Sequence, residues 1–241
     1  MEFWARDTKK AVTRGDVIVV IDVIRCSSSI IAALARGVAG IIPIKTIREA
    51  REVNRIHPDF ILSGERKGAR PSGFKYGNSP SAFSSAELAG AYLILTTTSG
   101  TNAISQAKGA KHILIGAFLN AKSVAESAFN IAEEEERGIT LALSGKKGSF
   151  SLEDFLGAGA IITNFPKNVS LTDAAQAAIL AFRRAEPDRI NIIKQGSHAK
   201  YLISIGFDED VNFCSQLNKY SIIPHLKDGT IIPLISPKNL K

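Results

Sequence analysis

Two cysteines, one methionine and one tryptophan are all that 241 residues contain of those types. Cys26 and Cys214 form no CxxC pair, so neither a disulfide framework nor a cysteine-based zinc site is expected. No apolar run approaches the ~18 residues that cross a bilayer. The opening MEFWARDTKK lacks the apolar core of a signal peptide. A cytoplasmic protein with no membrane partner is the expectation. Neither a Walker loop nor a GxGxxG fingerprint occurs, so nucleotide binding is not indicated. Linker-like and low-complexity stretches are missing too, which favours one α/β domain over residues 1–241. Little Met and Gln beside abundant Ile and Lys leans towards a thermophilic source.

Acidic residues are the minority: 23 against 30 Lys and Arg, a net charge of +7. Such a balance raises nucleic acid as a partner. The basic residues are scattered, however, with few aromatics interleaved for base stacking. Only Arg66, Lys67 and Arg70 cluster, and they fall in a Gly-rich loop. A small, highly charged substrate explains them better than a duplex, so no nucleic-acid partner is expected.

What the chain does have is VIVVIDVIRCSSSIIAAL at 17–34. The β-branched run Val17 to Ile21 reads as a strand buried on both faces. Asp22 and Arg25 interrupt it, and Ser27, Ser28 and Ser29 open an apolar, Ala-rich helix. A helix N-terminus offers free N–H groups and partial positive charge, and hydroxyls there add donors, so the stretch suits an anion with a metal beside it. A buried Asp22–Arg25 pair with an ordinary Ser N-cap explains it equally well.

Further along, strands are expected at 41–44, 60–62, 92–95, 113–114 and 139–143. Thr46 to Glu49 is a capping box opening a helix to about Ile56, and Ser84 to Glu87 fits another. Helices are expected over 103–108, 120–136, 152–160, 172–185 and 198–205. The acidic turn 208–210 leads into a helix through Cys214, and short strands at 222–223 and 231–235 close the chain. The unit at 17–42 recurs at 92–114: strand, hydroxyl-rich loop, helix, Gly37 or Gly109, strand. Two parallel strands ending in such loops would set both along one carboxyl edge, where open α/β sheets bind ligands. The fold class expected is a three-layer α/β/α protein with a mostly parallel or mixed central sheet.

Residues 63–81 hold four Gly and two Pro, a long irregular loop of the kind that carries function in compact domains. Together with 25–29 and 96–102 it offers hydroxyls, loop N–H groups and cations, the means by which proteins hold phosphate or sulfonate oxygens.

GERKGARPSGFKYGNSP, LILTTTSGTNAI and VIDVIRCSSSIIAAL closely resemble hallmark segments of the 2-phosphosulfolactate phosphatases. Weaker matches run through SGKKGSFSLEDFLGAGA and GSHAKYLISIGFDEDVNFC, in the family's order. The resemblance implies a magnesium-dependent hydrolase converting 2-phospho-3-sulfolactate to sulfolactate and phosphate, a step of coenzyme M biosynthesis. Lys75 departs from it, standing where the family often has an acid, and so does Cys26 to Ser29.

On that basis Asp22, Glu65 and Asp154 are the expected Mg2+ ligands, hard oxygens of the kind that ion requires. Asp22, Arg25 and His198 are the expected catalytic residues: metal-holding acid, phosphoryl clamp and general acid or base. Ser27, Ser28, Arg66, Asn78, Ser79, Thr97, Ser99 and Thr101 are the candidate substrate contacts. Each has a structural alternative as cap, turn, ion pair or core hydroxyl. Cys26 is no phosphocysteine nucleophile, because CxxxxxR would need Arg at Ala32. An aspartyl-phosphate route on Asp22 would want a carboxylate at Ile24. A homodimer is expected. The competing readings are a re-purposed or non-catalytic anion-binding protein of the same fold, to which Lys75 lends weight, and a phosphatase for another 2-phospho acid.

Overall fold

Val17–Ile21 forms strand β1, buried at every position. The computed structural model describes residues 8–146 and 149–234. The other strands are β2 Gly40–Pro43, β3 Ile61–Gly64, β4 Tyr92–Thr96, β5 Ile113–Gly116, β6 Ile139–Leu143, β7 Pro224–Lys227 and β8 Thr230–Pro233. Among them run helices α1 Thr8–Arg14, α2 Cys26–Ala35, α3 Ile47–Ile56, α4 Pro80–Ser85, α5 Gly100–Gln106 and α6 Ala121–Glu134. The rest are α7 Leu152–Ile162, α8 Asp173–Ala185, α9 Arg189–Lys194, α10 Ser197–Ser204 and α11 Asp208–Cys214.

The eight strands of the described residues join one sheet in the order β3-β4-β2-β8-β7-β5-β1-β6. Alternation along β1 divides the core. Val17, Val19 and Ile21 pack with α6, α7 and α8, whereas Ile18 and Val20 pack with α2 and α5. At the other end of the sheet, Ile94 of β4 turns to a small cluster with Ala50 of α3, while Leu93 and Leu95 join the α2 face. Helices therefore cover both faces, giving three layers.

The repeated unit is real as topology, with an exchange. Its first copy is β1-α2-β2 and its second β4-α5-β5; β2 pairs in parallel with β4, and β5 with β1. Each copy thus completes its ladder with the other's strand. Between the two parallel triplets lies the hairpin β7-β8, antiparallel to both neighbours. Three antiparallel steps in a row make the triplets opposite in sense, so β1 and β4 are not strands of one parallel ladder. Five steps of about 20–25° separate β4 from β1 and accumulate to more than a quarter turn. Strand ends from ladders of opposite sense can then face the same side, and those of β1, β3 and β4 do meet.

Local chemistry explains where the elements fall. Thr46 caps α3 as a full capping box, with Glu49 reaching back to the Thr46 amide at 3.1 Å. The box expected at Ser84 is not used. Instead α4 begins at Pro80, with Ser79 accepting the Ala82 amide at 3.1 Å, because Pro at the first helical position follows a Ser cap well. The strand expected at 222–223 lies at Pro224–Lys227. Asp228 and Gly229, both at positive φ, form the tight turn that sets the hairpin's register. Residue 235 of the last expected strand lies outside the described residues.

Candidate active site

Asp22 follows β1 directly and turns its carboxylate back onto the chain, where Oδ1 accepts the Cys26 amide at 3.1 Å. The serines fix this turn. Ser27 Oγ accepts the Asp22 amide at 2.9 Å and donates to the Val20 carbonyl at 3.4 Å. Ser28 Oγ donates to the Val23 carbonyl at 2.7 Å, and Ser29 Oγ to the Asn78 carbonyl at 3.2 Å. The serines lie inside the first turn of α2; its N-cap is Arg25, without a side-chain cap bond. Ser27 and Ser28 are thus engaged within the protein.

Arg25 does not pair with Asp22. Its Nη1 lies 2.7 Å from Asp210 Oδ2, its Nη2 donates to the Gly68 carbonyl at 2.8 Å, and its plane sits 4.2 Å from the Phe207 ring centroid. Asp210 is 1% exposed. Its Oδ1 accepts Ser79 Oγ at 2.6 Å and Ser81 Oγ at 2.7 Å. A buried charge persists when it is paired and its remaining lone pairs are filled, as here.

The loops after β3 and β4 are joined by Glu65. Its Oε2 accepts the Gly68 amide at 2.8 Å and its Oε1 the Thr98 amide at 2.7 Å. Gly64, at φ 155°, permits that approach, since a Cβ there would collide with the Thr96 carbonyl. Thr97 Oγ1 accepts the Thr101 amide, and Thr101 Oγ1 donates to the Thr97 carbonyl, both at 3.0 Å. Where α5 meets α2, a side chain at Gly100 would overlap Cys26 and come within 2.7 Å of Asp22 Oδ2. The two repeat loops therefore touch, as one shared ligand site requires.

These loops enclose a cavity of about 540 Å³. Asp22, Glu65, Asn78 and Thr97 line it and are all more than nine-tenths buried. Lys67 and Tyr201, both exposed, and the half-buried Lys146 line it as well. Arg25, Arg66, Ser99 and His198 complete the expected residues that face it. Ser27, Ser28, Ser79, Thr101 and Asp154 stand behind its wall. Asn78 Oδ1 is buried with no hydrogen-bond partner. In a fully packed wall an unpaired amide oxygen is costly, so this one points to a ligand.

Electrostatics set the acids apart. Burial pushes the Asp22 carboxyl up, and the charge of Glu65 adds to it; His198, the Cys26 amide and the Ser144 hydroxyl oppose the rise. Burial likewise drives the Cys26 thiol well above its ordinary range, reinforced by Asp22, so that it stays protonated. Burial also pushes Glu153 up, but the hydrogen bond and charge of His198 outweigh it and hold the carboxyl below its usual value. The pair is close, His198 Nδ1 to Glu153 Oε1 at 3.1 Å.

Asp154 departs from its expected role. Its Oδ1 accepts the Val23 amide at 2.8 Å and its Oδ2 the Gly145 amide at 3.0 Å. Unlike Glu65, Asp154 does not line the cavity; from behind its wall it ties the Asp22 turn to the Lys146 loop. No three His, Cys, Asp or Glu side chains stand in a metal-holding group among the described residues. The expected trio of ligands is thus not assembled; Asp22 and Glu65 alone face the cavity.

Glu153, Asp210, Lys146 and Tyr201 are the site residues that sequence reasoning passed over. Glu153 looks like a helix-start acid and Asp210 like a solvated acidic turn. Both are 2% exposed or less, and only the packing of α7, α10 and α11 reveals it. Lys75 is exposed, its ammonium 5.8 Å from the Tyr76 ring centroid and away from the cavity.

The family model described as 2-phosphosulpholactate phosphatase matches residues 4–229. The chain belongs to this family. Similar proteins include one from Thermotoga maritima, 40% identical over 214 residues, covering 89% of this chain and 90% of the relative. Another from Clostridium beijerinckii is 33% identical over 235 residues, covering 94% and 95%. A third, from Symbiobacterium thermophilum, is 35% identical over 225 residues, covering 91% and 95%. Each is named a probable 2-phosphosulfolactate phosphatase. Within the 2-phosphosulpholactate phosphatase family, then, this member carries its charged cavity where the two repeat loops meet. No helix among its described residues is long and apolar enough to cross a membrane.

Proposed function

We propose that the chain hydrolyses 2-phospho-3-sulfolactate to 3-sulfolactate and phosphate, as a cytoplasmic step of coenzyme M biosynthesis. The observation that carries the reading is the cavity itself: buried Asp22 and Glu65, an unpaired Asn78 amide and outer lysines, in a chain of this family. The names of the relatives supply the substrate.

Phosphomonoester hydrolysis builds charge on the phosphoryl oxygens, so catalysis is mostly positioning and electrostatic stabilisation. Arg25, clamped by Asp210, brings fixed positive charge to the cavity wall. The Asn78 side chain can offer its NH2 to a bound oxyanion, while its unpaired Oδ1 suits a cation or a donor hydrogen beside it. With its Nδ1 against Glu153, His198 keeps Nε2 for exchanging a proton with the attacking water or the leaving alkoxide.

Magnesium belongs to the same proposal, with Asp22 and Glu65 as its protein ligands. Burial and the neighbouring Glu65 raise the Asp22 carboxyl, a strain that a divalent cation beside both acids relieves. When bound, the ion supplies positive charge against phosphoryl oxygens and retains waters as its other ligands. Lys75 lies outside the cavity and gives no ground for a chain that binds without turnover.

Phosphate release from 2-phospho-3-sulfolactate, measured with magnesium and after chelation, tests the reading. Turnover that chelation abolishes and magnesium restores is expected. No release in either condition contradicts the activity, and undiminished release after chelation contradicts the metal.

A further inference from the structure

The cations around the cavity differ in what they are free to do. Arg25 is held by Asp210, Gly68 and Phe207. Arg66 is held as firmly, donating to the Glu65 carbonyl at 2.6 Å and to the Lys45 carbonyl and Thr96 Oγ1 at 2.9 Å. Arg70 donates to the Lys75 carbonyl at 2.9 Å and does not line the cavity. Lys67 and Lys146 remain. Neither ammonium has a hydrogen bond or a carboxylate partner among the described residues. Lys146 instead lies 5.2 Å from the Tyr201 ring centroid, and Tyr201 Oη donates to the Lys67 carbonyl at 3.0 Å.

The backbone holds this pair in place. Lys146 and Ser149 exchange amide-to-carbonyl bonds of 3.0 and 2.9 Å, and Asp154 secures Gly145 beside them. Lys67 sits at φ 51°, in a turn that Glu65 clasps through Gly68. Two lysines without a partner among the described residues thus line the same cavity as the more deeply buried Asp22, Glu65 and Asn78.

We infer that Lys146 and Lys67 form a subsite for the sulfonate of the substrate, and that Lys146 sets the preference for sulfonated over plain 2-phospho acids. The inference rests on the proposed reaction for its substrate. In 2-phospho-3-sulfolactate the carboxylate is attached directly to the carbon bearing the phosphoester, while the sulfonate stands one carbon further out. With the phosphoryl group at the buried end, the sulfonate is the anion that reaches the outer lysines. Three sulfonate oxygens accept from two separate ammonium groups without the planar match a carboxylate wants.

Calorimetry with 3-sulfolactate and with inorganic phosphate separates the two ends. Lys146→Ala is expected to weaken 3-sulfolactate binding at least ~10-fold, the loss of a charge-assisted contact. Phosphate binding should change less than about twofold, because that contact is not one phosphate makes. Lys146→Arg should restore most of the affinity, and Lys75→Ala, outside the cavity, should alter neither ligand. The ratio of kcat/KM for 2-phospho-3-sulfolactate to that for 2-phospholactate should fall with the 3-sulfolactate affinity. Equal weakening of both ligands, no change in either, or no 3-sulfolactate binding by the wild type would overturn the subsite. A wild type that binds 3-sulfolactate through Lys146 yet releases no phosphate would sink the proposed reaction and leave the subsite standing.

Discussion

Asp154 accepts two backbone amides from two different loops, Val23 on one side and Gly145 on the other. An asparagine there can accept only one, and its own NH2 would face the second. Asp154→Asn is therefore expected to cost about 1–3 kcal/mol, the usual penalty for an unsatisfied buried donor. Urea denaturation measures it. The same acid gives a pH dependence of known sign. Burial, with Asp22 and Glu153 adding, raises its carboxyl well above the ordinary 3.8. The Val23 and Gly145 amides oppose that rise without cancelling it, so the folded state holds this proton more tightly than the unfolded state and stability falls as pH rises from about 4 through the folded value. In Asp154→Asn that slope should shrink; an unchanged slope would contradict the buried environment described. Asp210→Asn is predicted to be more damaging, about 3–5 kcal/mol, because it leaves the buried Arg25 charge without its partner. Thermal denaturation beside turnover would show both stability and activity fall. These roles were out of reach of sequence reasoning: an acid in a helix's first turn reads the same whether it faces water or is sealed under another helix.

At the scale of elements, the meeting of α2 and α5 decides whether a site exists at all. Gly100→Ala is expected to reduce turnover by at least tenfold and stability by about 1–3 kcal/mol, since its Cβ would overlap Cys26 and press on Asp22. Activity assays with circular dichroism separate the two effects; wild-type turnover would mean that the loops do not need this contact. Much at this scale was legible in the sequence. The apolar run 17–21 is β1 to the residue, 139–143 is β6, and Thr46 to Glu49 is a working capping box. The repeat pattern pointed correctly to two loops closing on one place. What the pattern could not carry was pairing, because periodicity marks a strand but not its neighbour. Hence the exchange of β2 and β5 between repeats, and the central placing of β7-β8, emerge only in three dimensions.

For the molecule as a whole, that hairpin is the keystone. Among the described residues no strand of the β2 triplet pairs with a strand of the β5 triplet; β7 and β8 stand between them. A chain ending before Pro224 is predicted to lose cooperative unfolding, as two half-sheets with new, exposed edges. Calorimetry reads this directly, and a single transition at the wild-type midpoint would contradict it. The sheet also explains why a basic protein carries buried acids. The two parallel triplets bring Asp22 and Glu65 together from opposite halves, and the surplus of positive charge includes the lysines facing the cavity. Such a field favours capture of a small polyanion.

The claim on which all of this depends is that the cavity between the repeats is where chemistry happens, with Asp22 at its centre. Steady-state phosphate release from 2-phospho-3-sulfolactate by Asp22→Asn, in magnesium and with folding verified by circular dichroism, tests it most directly. A fall in kcat of about 10²–10³ or more at an unchanged fold is predicted. Turnover within a few-fold of the wild type would contradict the account.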